Sequence, residues 1–154
     1  MKSMKVILGA FLACTMFAFA SGPSNDVPQK VKEAFAKKFP TAKKVKWDKE
    51  SETEWEAEFK MNKIEYSANF MADGTWKETE HEIDEKEIPA IVKKALSTTF
   101  PGYETEEVEI SETAQGMVYE FEIEKGETEM EVAIDASGKV IKQEVKKEDK
   151  EDKD

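Results

Sequence analysis

The chain has 154 residues, and its 34 acidic side chains outweigh 23 basic ones to give a formal charge of −11. Every basic residue is lysine, so the planar bidentate fork that clamps phosphate is missing, and the net charge would repel a polyanion such as nucleic acid. One cysteine, Cys14, excludes an internal disulfide framework.

Residues 1–20 read as a secretory signal peptide. Lys2 and Lys5 lead a largely apolar, charge-free run, Val6–Ala20, which ends in the small-x-small pattern Ala18-Phe19-Ala20 before Ser21. The run falls short of the ~20 apolar residues of a retained membrane helix, so export without a membrane span in the mature chain is expected, to the periplasm or beyond. Phe11-Leu12-Ala13 before Cys14 offers a lipoprotein-type site as the alternative. Cleavage at Ser21 takes 20 of the 154 residues and two of the 23 lysines, leaving 134 residues with a formal charge of −13. Residues 21–26, SGPSND, form a flexible polar leader.

Val27–Pro40 is predicted to be a short helix. Pro28 suits its first position, Val31, Ala34, Phe35 and Phe39 recur at three- and four-residue steps, and Pro40 stops it. Strands follow, each alternating apolar with polar. Val45 and Trp47 mark the first; Trp55, Ala57, Phe59 and Met61 the second; Ile64, Tyr66, Ala68 and Phe70 the third; Trp76 opens the fourth. A two-residue loop at Asn62-Lys63 would set Phe59 opposite Tyr66 and Trp55 opposite Phe70. A three-residue loop with Gly74 left-handed would set Phe70 opposite Trp76.

Glu78–Glu87 is a charged join without a motif, and then the pattern repeats. Ile88–Pro101 matches Val27–Pro40 at an offset of 61 residues, with Val92, Ala95, Leu96 and Phe100 on the apolar stripe. Val108 and Ile110; Tyr119, Phe121 and Ile123; Met130, Val132 and Ile134; and Val140 mark four more strands. A three-residue insertion before Tyr119 moves the offset to 64. The expected architecture is α+β: two tandem α-β4 repeats, at 27–83 and 84–145, sharing an antiparallel sheet with both helices packed on one face. Residues 146–154, KKEDKEDKD, form a disordered charged tail.

This doubled pattern resembles the PepSY-like proteins exported by bacteria. The residues that carry the likeness are Val27-Pro28, Val31, Ala34-Phe35, Phe39-Pro40, Trp47, Glu58-Phe59 and Asp73-Gly74. In the second half they are Ile88-Pro89, Val92, Ala95, Phe100-Pro101-Gly102-Tyr103 and Ser137-Gly138. The resemblance implies a fold like that of beta-lactamase-inhibitor protein and a periplasmic or outer-surface location. These are core and turn positions, so they carry no active site across.

Few residues suggest chemistry. His81, the only histidine, lies in the charged join and reads as an exposed linker residue. Trp47, Trp55 and Trp76 read as core, and Asp73-Gly74 as a turn lacking the carboxylates of a calcium loop. The sharper feature is acidic. A Gly126-Glu127 turn places Glu124 opposite Glu129 and Glu122 opposite Glu131, and facing like charges cost a few tenths to about 1 kcal/mol each, so glutamine replacements should stabilise. With Glu120, Glu56 and Glu58 these form a candidate partner-binding face. The first reading is therefore a non-enzymatic exported binding module whose protein, peptide or envelope partner has a basic surface. The alternative is an envelope protein binding calcium through weak carboxylate sites. No nucleophile–base pair, metal set or phosphate loop points to an enzyme or a cofactor.

Overall fold

The computed structural model describes residues 26–146. The expected signal peptide, Cys14, all but the last residue of the leader, and the tail beyond Lys146 lie outside them. The chain runs α1 (Gln29–Lys38), β1 (Lys43–Lys49), β2 (Glu54–Met61), β3 (Ile64–Met71) and β4 (Trp76–Glu82). It continues through a single 3-10 turn at Glu85–Glu87 to α2 (Ala90–Thr99), β5 (Glu104–Thr113), β6 (Gly116–Lys125), β7 (Thr128–Asp135) and β8 (Val140–Val145). The strands form one eight-stranded antiparallel sheet in sequence order, so the fold is α+β.

Both helices begin and end by the same means. Pro28 stands just before α1 with φ −57° and ψ 142°, and Pro89 before α2 with −58° and 143°. Each proline carbonyl accepts two amide hydrogen bonds, from Val31 and Lys32 and from Val92 and Lys93. At the far end Phe39 donates to the Phe35 carbonyl at 2.8 Å and Phe100 to that of Leu96 at 2.9 Å. Pro40 and Pro101 follow and cannot extend a helix.

Turn chemistry sets the strand register. Asn62 and Lys63 both adopt positive φ, 54° and 73°, as a tight primed turn requires, and Phe59 pairs with Tyr66, Ala57 with Ala68 and Trp55 with Phe70. Gly126 opens the β6–β7 turn at φ 65°, pairing Glu124 with Glu129 and Glu122 with Glu131. Gly74, at φ 90°, lies so close to α1 that a Cβ there would stand 2.8 Å from the Lys30 carbonyl oxygen.

The core has two parts. Val31, Phe35 and Phe39 join Trp55, Ala57, Phe59, Ala68 and Phe70 in one cluster; Val92 and Phe100 join Val108, Tyr119, Phe121, Ile123, Val132 and Ile134 in the other. Each fully buried Val, Ile or Phe side chain contributes about 1.5–3 kcal/mol. The expected exposed linker histidine is corrected. His81 sits inside β4, half-buried, with its ring 4.7 Å from that of Tyr66 and its backbone opposite Ile110. The β4 strand is polar almost throughout, so it shows no apolar alternation; pairing on both sides holds it in the sheet.

Candidate partner-binding face

Strand alternation sends the apolar residues of β2, β3, β6 and β7 into those clusters and the intervening glutamates to the opposite face. On that face Glu58 pairs with Ser67, Ser67 with Glu80, and Glu80 with Ser111. A neighbouring row runs Glu82, Glu109, Glu120, Ala133, Lys142, and a third runs Glu107, Glu122, Glu131, Glu144. All seven candidate residues belong to this surface: Glu56 and Glu58 on β2, Glu120, Glu122 and Glu124 on β6, Glu129 and Glu131 on β7.

The centre of this face is not open to solvent. Glu56, Glu80 and Ser111 are 6%, 5% and 1% exposed. In a twisted sheet, neighbouring side chains on one face shield one another. Four buried polar atoms there, Glu56 Oε2, Glu80 Oε1, Ser111 Oγ and Glu120 Oε1, lack a hydrogen-bond partner. Each such atom costs about 1–3 kcal/mol when left unpaired.

The charges divide the face into two zones. On the β8 side Lys146 Nζ lies 2.6 Å from Glu122 and 3.7 Å from Glu131, and Lys142 Nζ lies 3.5 Å from Glu131 and 3.6 Å from Glu144. Lys146, expected in the charged tail, instead donates its amide to the Glu129 carbonyl and closes the acidic pair with its side chain. On the β2 side Lys46 pairs with Glu58 and Lys77 with Glu54. Between these zones the carboxyls are shifted toward the protonated form instead. Burial, reinforced by Glu120, Glu78, Glu109 and Glu56, pushes the Glu80 carboxyl up to about 9. Burial likewise raises Glu120 to about 8 with Glu78 and Glu109 adding, Glu56 to about 8 with Glu50 adding, and Glu109 to about 7 with Glu107 adding.

Glu80, Glu78, Glu109 and Ser111 are the residues that reading the sequence missed. The signal was present in the alternation of Glu78, Glu80 and Glu82, but the intervening Thr79 and His81 do not look like core. Among the described residues no three His, Cys, Asp or Glu side chains come together as a metal ligand set.

Residues 16–67 and 53–142 match the model of a family described as beta-lactamase-inhibitor-like, PepSY-like. The chain belongs to the PepSY-like family. No curated protein matches it. Among solved structures, this PepSY-like chain is similar to a protein from Bacteroides eggerthii described as periplasmic, with 21% identity, TM-score 0.69, and 77% of this chain and 88% of that one covered. It is also similar to a protein from Bacteroides fragilis described as BLIP-like, with 20% identity, TM-score 0.66, and 77% and 86% covered. At such identities the likeness is one of fold. Among the described residues, no helix of the PepSY-like chain is long and apolar enough to cross a membrane.

Proposed function

We propose that the protein is an exported, non-enzymatic binding module that receives a protein or peptide with a basic surface on its acidic sheet face. In this reading residues 27–83 and 84–145 are tandem α-β4 units with both helices on the other side. The matched helix ends, the matched turns against the helices and the two clusters support that division. Export is supported by the signal-peptide pattern of residues 1–20 and by the periplasmic description of a structural neighbour.

The observation that carries the reading is the buried carboxyl centre of the acidic face. Folding has placed Glu80 and Glu120 in costly surroundings with oxygens left unpaired. A cationic surface would supply the missing partners and counter-charge. The test is calorimetric titration with hexalysine at about 0.15 M salt, where exposed charges are largely screened. Binding is expected for the wild type and weakened in a Glu58→Gln, Glu122→Gln, Glu131→Gln variant. A wild type that ignores the peptide would refute the reading.

A further inference from the structure

We propose that the Glu80–Ser111–Glu120 centre of this face is a socket for a single lysine-type ammonium group of the partner. The inference rests on the reading of the face as a docking surface for a basic partner and narrows it to one group at one place.

Three observations converge there. Glu80 is 5% exposed; its Oε2 accepts the Ser67 hydroxyl at 3.4 Å, while its Oε1 has no partner. Ser111, opposite Glu80 in the register and 1% exposed, has an unpartnered Oγ, and so does Glu120 at Oε1. An ammonium group carries three donors and no acceptor, which complements acceptor oxygens that lack a donor.

The chain itself demonstrates the chemistry one row from Glu120 and two from Glu80 and Ser111. Glu122 and Glu131 face each other across β6 and β7, and Lys146 bridges them at 2.6 and 3.7 Å. The groups facing Glu80 are Glu56 from β2, Glu78 on its own strand, Glu109 from β5 and Glu120 from β6, all acidic; Lys142 of β8 acts on Glu120 from the far side. Burial and the neighbouring glutamates push the Glu80 and Glu120 carboxyls up to about 9 and about 8. An entering ammonium keeps its own protons and displaces carboxyl protons to solvent, so binding strengthens as pH rises.

Hexalysine titrated into the wild type at about pH 7.5, in two buffers of different ionisation enthalpy, reads the proton count directly. The expected result is release of about one proton per peptide bound, with affinity falling as pH is lowered toward 6. Glu80→Gln and Glu120→Gln should bind about tenfold more weakly and release fewer protons, whereas Glu127→Gln in the exposed turn, with the same charge change, should stay within about twofold. Thermal melts establish that the variants are folded, and the wild-type proton count needs no variant. Peptide binding without proton release, and equal in Glu80→Gln and Glu127→Gln, would overturn the socket while leaving the docking face standing. No wild-type binding at all would overturn both.

Discussion

Lys146 Nζ lies 2.6 Å from Glu122 Oε1, and this contact resolves the facing glutamates of β6 and β7. The same ammonium reaches Glu131 at 3.7 Å, so one lysine from the last described residue sits between two carboxylates that would otherwise repel. Both ends of the Lys146–Glu122 contact are largely shielded, with 26% and 18% of their side chains exposed, which sets it apart from an ordinary surface ion pair.

Lys146→Met should therefore destabilise the protein by about 1–2 kcal/mol, because it leaves Glu122 facing Glu131 with only Lys142, on the Glu131 side, as counter-ion. Adding Glu122→Gln to that variant should recover most of the loss. Urea denaturation of the single and double variants checks both. A single variant as stable as the wild type would show that the bridge contributes nothing.

Stability should fall as pH rises from about 5 to about 9. Glu80, Glu56, Glu120 and Glu109 ionise near 9, 8, 8 and 7 in the folded protein, against an ordinary value of 4.5. Their folded forms hold protons that the unfolded chain has already released, so the stabilisation is complete below about pH 4.5 and is lost progressively up to pH 9. A fall of more than ~1 kcal/mol across this window is expected, and Glu80→Gln should flatten it, since glutamine mimics the protonated form. Thermal melts at several pH values measure it; a wild type most stable at pH 9 would contradict the burial of these carboxyls.

Gly74→Ala and Gly126→Ala separate two costs. Both residues have positive φ, but an added Cβ at Gly74 meets the Lys30 carbonyl oxygen at 2.8 Å, whereas at Gly126 nothing lies within 4 Å. The Gly126 change should cost about 1 kcal/mol of backbone strain, and the Gly74 change more than about 2, because the β3–β4 turn must also move off α1. Equal losses in denaturant titrations would mean that the turn does not rest on the helix.

The legible parts of the fold were those in which a turn residue and an apolar alternation agree. Asn62-Lys63 and Gly126-Glu127 set two hairpins to the residue, including the Glu122–Glu131 and Glu124–Glu129 pairs. Illegible were features that depend on curvature and neighbours. Nothing in the run Lys77–Glu82 marks Glu80 as buried; its surroundings come from β2, β5 and β6 together. Lys146 looks like the first residue of a solvated tail, and its role follows from where β8 ends relative to Glu122. Hence the expected gain from glutamine at all four facing glutamates narrows to Glu124 and Glu129, because Glu122 and Glu131 already have their cation.

The most direct test of the account is an NMR titration of isotope-labelled protein with hexalysine, following backbone amides across the sheet and helices. The account predicts shifts confined to the acidic face, centred on Glu80, Ser111, Glu120 and Glu131, with α1 and α2 unmoved. Shifts centred on the helices or on the outer edges of β1 and β8, with the acidic face silent, would contradict it.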